Sequence, residues 1–403
     1  MNNLSTNGGK IFLKKGYYDG TIVITRNGLI IEGEGSSFSS PPQWSQPLAL
    51  YGTVIKPRSG QNGILISGSN ISGIVIKNLG IWFETSPTGD GIATDGGNYF
   101  NVEDLLIESV NILNHDGNKH AINLENFLET TVTHVNSAGG GLLCLYANWD
   151  NFHAGDAVFS NMYGRISKAM DSDPNGAKGF PFIVARNGTR GNCWINDIVF
   201  NSILMNNPTT QTDEDFYGVV IWSGRNLVFN HLHFGGVDHG YSYRWIDIGD
   251  SYCVTFISPY FWSYEEGYIK SQHTNYKVTW VNPTIAGSAS VVSDGNQTDL
   301  WINPAIYGSI SNDTIAGFEN LEGNSGWAII SAGSYNVTVQ ARFFSPYDSV
   351  SLTIISSSAL QSGESLVVSS WDYTNNRFTV SCLDRLAAST SIMFFWKVIH
   401  SAG

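Results

Sequence analysis

One sequence pattern occurs three times in the chain. Each copy has an aromatic residue, an aliphatic residue, and then Asn or Ser followed by Pro. The copies read VTFISPYF, VTWVNPTI and LWINPAI, at Val254–Phe261, Val278–Ile285 and Leu300–Ile306. The aromatic positions 256, 280 and 301 are 24 and 21 residues apart, and self-similarity at such a period indicates a repeat architecture. We expect the three aromatic side chains to stack on successive coils: Phe256, Trp280 and Trp301.

The prolines of the same pattern agree with this interpretation. Proline has no N–H to donate to a central strand ladder, so it belongs at a bend. Pro259, Pro283 and Pro304 should therefore mark one corner of successive coils. The alternative for the aromatic residues is a sugar-stacking surface. Stacking at equivalent positions is favoured because repetition alone explains it.

Short β-branched runs recur along the preceding 250 residues, separated by Gly, Asn and Asp. Examples are GILI at 63–66, GIVIKNLGI at 73–81, VEDLLI at 102–107 and TVTHV at 131–135. Strands this short cannot bury a face alone, but coils stacked on one another share a continuous core. We expect each strand to pair in parallel with its counterparts above and below, with Ile, Val, Leu and Phe pointing inward.

The composition limits the classes of partner. The chain has 403 residues, a net charge of -13 and only 14% charged residues. An acidic chain argues against nucleic acid as a partner, since phosphate binding needs a basic face. It is also unfavourable for an acidic polymer, although a local basic strip could bind one. No apolar run is long enough to span a bilayer, and no signal-peptide core is visible, so no membrane partner is expected.

Residues 8–315 resemble a right-handed parallel β-helix of the pectate-lyase-like superfamily, which includes phage tailspikes. GGKIFLKKGYYDGTIVI (Gly8–Ile24) followed by GLIIEGEG (Gly28–Gly35) resembles the start of many such chains. The resemblance implies an all-β fold and an extracellular or virion-associated protein, and it allows a homotrimer. It is specific for the fold, because this superfamily contains lyases, hydrolases, epimerases and non-catalytic adhesins.

The tail from Glu319 onward has a different pattern. Five segments alternate with period two, which is typical of antiparallel strands. They are NVTVQARF, SVSLTIIS, SLVVSSWDY, RFTVSC and SIMFFWKV, which begin at 336, 349, 365, 377 and 391. We predict a β-helix domain over 1–318 and a small β-sandwich over 319–403. The tail also resembles C-terminal modules that bind glycans or hold trimers together.

Three long connections interrupt the central coils: Ser160–Phe180, Met205–Tyr217 and Gly235–Arg244. Loops on a rigid scaffold are where function concentrates, and a long groove on a solenoid suits a polymer chain. Glycoside hydrolysis needs two carboxyl groups beside the scissile bond. Crowded carboxylates raise one another's pKa, as the acid partner requires. The candidate catalytic acids are Asp171, Asp173, Asp213, Glu214 and Asp215.

Elimination from a uronate polymer is the alternative chemistry. It needs a base and a cation that neutralises the carboxylate. Calcium could replace the basic cation in a lyase, whereas hydrolysis requires no cofactor or metal. Candidate substrate-binding residues on or near the long connections are Lys168, Lys178, Arg186, Arg190, Trp222, His239, Tyr243 and Arg244.

A second cluster of polar residues lies nearer the N-terminus, in NHDGNKHAINLEN and NFHAGDAVF. Its members are Asp116, Lys119, His120, His153 and Asp156. Its plainer interpretation is turn chemistry, with Asp before Gly. The motifs of polygalacturonases are absent. Arg244–Ile248 (RWIDI) matches only part of a pectate-lyase motif, so no role is transferred from either family. The sequence favours a polysaccharide-cleaving hydrolase, then a lyase, then a non-catalytic glycan-binding or structural spike.

Overall fold

The computed structural model describes most of the N-terminal three hundred residues and the strands of the tail. The described ranges are 8–35, 52–95, 101–117, 119–147, 153–166, 182–186, 194–206, 217–235, 243–249, 251–272, 276–293, 300–302, 305–306, 325–330, 336–340, 349–354, 366–372, 377–382 and 392–399. The chain forms two compact units, Met1–Gln297 with Asn303–Thr314 and Thr298–Ile302 with Ile315–Gly403. The predicted boundary between residues 318 and 319 lies outside the described residues. Within the described ranges, no helix could span a membrane.

The first unit is built from parallel strands that return to the same three faces. Of the strands up to residue 306, Leu300–Ile302 is assigned to the second unit. In chain order the strands up to residue 306 are β1 Gly9–Leu13, β2 Gly16–Asp19, β3 Ile22–Ile24, β4 Leu29–Gly33, β5 Thr53–Lys56, β6 Ile64–Ser67, β7 Ile71–Trp82, β8 Ile92–Asp95, β9 Val102–Leu113, β10 His120–Glu125, β11 Phe127–Gly139, β12 Gly141–Ala147, β13 His153–Ile166, β14 Phe182–Arg186, β15 Trp194–Asn206, β16 Tyr217–Trp222, β17 Gly224–Gly235, β18 Tyr243–Gly249, β19 Tyr252–Ile257, β20 Tyr260–Gln272, β21 Tyr276–Val281, β22 Thr284–Ser293, β23 Leu300–Ile302 and β24 Ala305–Ile306.

Each coil contributes one strand segment to each of three faces, which we name A, B and C. Face A contains β3, β6, β8, β10, β12, β14, β16, β18 and the second halves of β20 and β22. Face B contains β1, β4, the first halves of β7, β9, β11, β13, β15 and β17, and then β19 and β21. Face C contains β2, β5, the second halves of the same long strands, the first halves of β20 and β22, and β24. The predicted parallel β-helix is confirmed.

The core is a set of ladders in which equivalent residues stack along the axis. One inward position of face B is aliphatic in the early coils and aromatic in the later ones. Its members, in register, are Ile31, Ile76, Ile107, Val132, Phe159, Phe200, Phe229, Phe256 and Trp280. All nine side chains are buried. The rings of Phe256 and Trp280 are parallel within 7°, with centroids 4.1 Å apart, so this predicted stacking is confirmed.

The bend between faces B and C explains the rest of the repeated motif. One residue of each coil takes a left-handed conformation there, with φ between 48° and 58°, and these residues are Asn78, Ser109, His134, Asn161, Ser202, His231, Ser258 and Asn282. Pro259 and Pro283 follow the last two and are buried. The Ser258 amide donates to the Val281 carbonyl (2.7 Å). The predicted corner is therefore confirmed for these two prolines, whereas Pro304 and the Trp301 side chain lie outside the described residues.

The second unit contains two antiparallel sheets of three strands. Its strands are β25 Ser325–Ile330, β26 Asn336–Gln340, β27 Ser349–Ile354, β28 Leu366–Asp372, β29 Arg377–Cys382 and β30 Ile392–Ile399. The sheet orders are β25-β30-β27 and β26-β29-β28. Both sheets supply side chains to one core, made of Ile330, Val339, Phe378, Val380, Ile392, Phe394 and Trp396. The predicted sandwich is present, and β25 is a strand that the alternation pattern had not identified.

Truncation of one ring in the aromatic ladder should destabilise the first unit strongly. Phe229 is fully buried and stacks on Phe200 and Phe256 at centroid distances of 4.4 and 4.8 Å. We expect Phe229→Ala to lower the free energy of unfolding by about 3–5 kcal/mol, because the lost ring leaves a cavity between two coils. Urea denaturation of the full chain measures the change.

Val158→Thr is the matched control for this substitution. Val158 lies on the outer side of face B with 40% of its surface exposed, and Thr keeps the β-branched shape that a strand favours. Its effect should stay within about 0.5 kcal/mol. If Phe229→Ala and Val158→Thr lowered the free energy of unfolding equally, the ladder ring would contribute no more stability than a surface residue.

Candidate functional site

The three long connections of the sequence leave the β-helix at the same corner. The segments 167–181, 207–216 and 236–242 each join the end of a face C strand to the start of a face A strand. Their starting points are stacked, because Arg165 pairs with Asn206 and Asn206 pairs with Gly235. Their end points are stacked as well, since β14, β16 and β18 pair in register. The connections therefore arise from three consecutive coils on one flank, about 4.8 Å apart along the axis.

All the predicted catalytic acids belong to these connections. The candidate acids Asp171, Asp173, Asp213, Glu214 and Asp215 lie outside the described residues, and so do Lys168, Lys178, Arg190 and His239. Arg186, Tyr243 and Arg244 lie on β14 and β18, where the backbone alone is described. Their catalytic and substrate-binding roles stay predictions. What the structure adds is the surface beside which the connections begin.

That surface is the outer side of face C, where one row of residues is continuous along the axis. We name it the C row. Its members, in register, are Tyr17, Val54, Gly80, Asn111, Asn136, Tyr163, Leu204, His233 and Tyr260. Val54 and Asn111 are buried, with 3% and 8% of their surface exposed. The Asn136 amide donates to the Asn111 side-chain carbonyl (2.9 Å). The ring centroids of His233 and Tyr260 are 4.7 Å apart. Amides and aromatic rings in a line are suited to hydrogen bonds and stacking along an extended ligand.

The part of the C row nearest the long connections carries the groups with chemical potential. Tyr163 and His233 are half-buried, and Arg165, two residues beyond Tyr163, points to the same outer side. Arg165 is also the last residue but one before the connection 167–181. The described side chains of this region therefore supply a phenol, a guanidinium and an imidazole. They supply no carboxylate.

The imidazole of His233 is held in an environment that disfavours its charge. Burial lowers the pKa of His233 below its ordinary value of 6.5, because desolvation penalises the charged form. The side chain is therefore neutral at neutral pH. In that state one ring nitrogen donates a hydrogen bond and the other accepts one.

Part of the second predicted cluster lies at the same corner, two coils before the connection 167–181. The Asp116 carboxylate accepts hydrogen bonds from the Ser86 hydroxyl and the Thr88 amide. The Asp116 amide donates to the Thr88 hydroxyl (2.7 Å). The backbone amide of His120 donates to Asp90 (2.8 Å). These bonds join the turns of neighbouring coils, so the Asp116 carboxylate has a structural role, whereas His120 takes part through its backbone amide. Lys119 lies in the same turn, and its amide donates to the Asp116 carbonyl.

The other members of that cluster lie at a different corner. His153 and Asp156 are exposed near the start of β13, where face A gives way to face B. Asp156 has φ 51°, the left-handed conformation that Asp tolerates. A face A strand such as β10 separates this corner from His120, a span of roughly 20 Å at 3.3 Å per residue. The structure thus divides the second cluster between two corners, and its catalytic role stays a prediction.

Trp222 lies on the outer side of face A. It packs with Tyr146 against the buried side chains of Cys144 and Val220. Trp222 therefore has a packing role, and its substrate-binding role stays a prediction. Among the described residues no group of His, Cys, Asp and Glu could hold a metal ion.

The C row was missed by the sequence analysis. Tyr163, His233 and Tyr260 have no shared motif and unequal spacing along the chain, since segment 167–181 lengthens one coil. The signal that would identify them is the register itself. Once the inward Phe159, Phe200, Phe229 and Phe256 are aligned, the outward residues four positions further on fall into one row.

Comparison with known proteins gives matches to solved structures alone. No family model and no curated protein sequence matches the chain. The Azotobacter vinelandii mannuronan C-5 epimerase AlgE6 A-module is 13% identical, covering 77% of this chain and 90% of its own (TM-score 0.36). The Dettilon tailspike protein is 12% identical over 96% and 87% (TM-score 0.30). A GH87 alpha-1,3-glucanase catalytic domain is 15% identical over 76% and 64% (TM-score 0.38). Similarities this weak support no inference about activity.

The low pKa of His233 makes stability depend on pH in a defined direction. Below about pH 6.5 the unfolded chain takes up a proton on this residue more readily than the folded chain, so stability falls as the pH is lowered. We expect His233→Asn to remove this part of the loss. Urea unfolding between about pH 7.5 and pH 5 measures it for both proteins.

The matched control is His231→Asn. His231 is exposed two residues away at the left-handed bend, with φ 58°, and Asn tolerates that conformation. The same pH dependence in wild type and His233→Asn would contradict the prediction.

Proposed function

We propose that this protein cleaves glycosidic bonds within a polysaccharide chain that lies along the C row. The observation that carries the proposal is the convergence of three long connections beside this row. Their starting points are stacked at one corner, and the row offers rings and amides to an extended ligand. A solenoid groove with loops at its rim suits a linear polymer better than a small molecule.

Hydrolysis by a carboxylate pair is the favoured reaction. Carboxylates outnumber lysines and arginines in the three connections, which contain Asp171, Asp173, Asp213, Glu214, Asp215 and Asp238 but only Lys168 and Lys178. The first two connections start on adjacent coils. The coil spacing of about 4.8 Å is comparable with the 5–9.5 Å that separates the acid from its partner in glycosidases. One carboxyl group would protonate the leaving oxygen. The other would either attack the anomeric carbon or activate a water molecule.

The neutral groups of the C row would position the sugar. Tyr163 and Tyr260 offer ring faces to the apolar side of a pyranose. His233, neutral at neutral pH because of its lowered pKa, would exchange hydrogen bonds with hydroxyl groups. Such contacts hold a glycan chain in register with the catalytic acids, which is a contribution to rate as well as to affinity.

Lyase elimination is the second candidate, favoured by the side chains of the C row itself. Tyr163 and Arg165 lie together on one side of the row. The Tyr163 side chain, as its phenolate, could take the proton beside a uronate carboxylate and deliver it to the glycosidic oxygen that leaves, while the guanidinium neutralises that carboxylate. The net charge of -13 opposes it, because a polyuronate would approach against repulsion. Either activity fits a protein working outside cells or on a virion. The homotrimer stays a prediction.

A polysaccharide panel tests the proposal and separates the candidates. A hydrolase should release reducing ends without the ultraviolet absorbance of an unsaturated product, and a lyase should produce both. A non-catalytic spike should produce neither and still bind glycans. Absence of cleavage across neutral and acidic polymers would contradict the proposal.

Single substitutions of the acids locate the pair. For a hydrolase we expect two of Asp171→Asn, Asp173→Asn, Asp213→Asn, Asp215→Asn and Glu214→Gln to lose activity by a factor of about one hundred or more, because they remove general acid or base catalysis. Asp104→Asn is the matched control. Asp104 is exposed at a left-handed bend on another corner (φ 52°), which Asn tolerates. Full activity in all five variants would place the chemistry elsewhere.

Removal of the Tyr163 ring tests the C row independently of the acids. We expect Tyr163→Ala to weaken binding of the cleaved polysaccharide about ten-fold, or ~1.4 kcal/mol, through the loss of one stacking platform. Val158→Thr, on face B of the same coil, should bind as wild type does. Calorimetry with an inactive acid variant as background measures affinity without cleavage.

A further inference from the structure

A compact cluster occupies the N-terminal end of the C row, far from the long connections. Tyr17 belongs to the row, and 49% of its surface is exposed. The Tyr17 ring centroid is 6.2 Å from that of Trp82. The Lys56 ammonium lies 5.3 Å from the Tyr17 ring centroid and 5.2 Å from the Trp82 ring centroid. Two aromatic rings thus meet around one cation on the outer surface of the first coils.

The charge around this cluster is negative overall. Lys56 forms an ion pair with Glu84 (2.6 Å). Asp19 is its neighbour in register on β2. Two carboxylates therefore accompany one ammonium group. This balance disfavours an anionic ligand, while the carboxylates and the ammonium can hydrogen-bond to neutral hydroxyl groups.

The cluster shares its row with the proposed cleavage region. Tyr17 and Tyr163 are five coil steps apart in the C row, which corresponds to roughly 24 Å at about 4.8 Å per step. Between them the row has Val54, which is 3% exposed, Gly80, without a side chain, and the amide pair of Asn111, which is 8% exposed, and the exposed Asn136. A chain of several sugar residues that follows the axis would reach from one end to the other.

We infer that Tyr17, Lys56 and Trp82 form a remote subsite for uncharged pyranose residues of the same polysaccharide chain that is cleaved beside Tyr163. This inference rests on the proposed function for the identity of the chain. The ring faces of Tyr17 and Trp82 stack on the apolar side of the sugar. Lys56, held in place by Glu84, donates to its hydroxyl groups. The subsite increases affinity for long chains and takes no part in bond cleavage.

Binding measurements on the full chain test the subsite, with Tyr17→Ala and Trp82→Leu as variants. The probes are a neutral glucan, a neutral mannan, a polyuronate and a trisaccharide of each neutral polymer. We expect at least one neutral polymer to bind, and each variant to weaken that binding about five- to ten-fold. Trp82→Leu, which changes no member of the C row, should leave trisaccharide binding and the cleavage rate of short oligosaccharides unchanged.

Phe12→Ala is the matched control, because Phe12 is 50% exposed in the same first coil but lies on face B. Trp82→Leu keeps apolar volume at its site, so it tests the subsite even if Tyr17→Ala fails to fold. The inference is overturned if both variants bind the neutral polymers as wild type does, if Phe12→Ala loses as much, or if the polyuronate alone binds. Failure of the proposed function has a different signature, namely polymer binding that depends on Tyr17 without release of reducing ends.

Discussion

Stacking of equivalent residues along the axis is the interaction on which the whole β-helix depends. A strand of four to six residues has too little surface to form a core of its own, so each coil is stable only when its neighbours cover it. The nine-member ladder from Ile31 to Trp280 shows how this demand is met. Later coils replace aliphatic residues with rings, which stack nearly parallel at 4.1–5.4 Å. The stacking requirement restricts the residue types at inward positions of each coil. The residue types on the outer surface are therefore free to vary.

The fold was predictable from the sequence because the ladder leaves a direct trace in it. Phe256-Ile257-Ser258-Pro259 and Trp280-Val281-Asn282-Pro283 encode an inward ring, an outward residue, a left-handed bend and a corner. Backbone geometry requires each of these residue types at its position, and the neighbouring coil repeats the same types. The tail was predictable for the same kind of reason, since five of its strands alternate with period two. β25 was missed because Ser325–Ile330 reads SGWAII and shows no such alternation.

The candidate site was less predictable, for a physical reason. Outer positions such as Tyr163 and His233 obey no core constraint, so their residue types carry no periodic signal. Their proximity arises only when coils of unequal length are brought into register. The acidic connections could be recognised as departures from the repeat, and the structure shows that they begin at one corner. The bracing of Asp116 by Ser86 and Thr88 illustrates the opposite case. Its sequence context suggested chemistry, and the local hydrogen bonds give it a structural task.

The corner between faces C and A determines where this chain can change length. A residue removed inside a strand would reverse the inward and outward phase of every side chain up to the next bend, and the ladders would lose their apolar members. At the corner no such phase has to be kept. One residue, Gly140, suffices between β11 and β12, whereas 167–181 lies between β13 and β14. This flank therefore holds connections of one and of fifteen residues between strands that keep the same register, so recognition segments can differ in length on one scaffold.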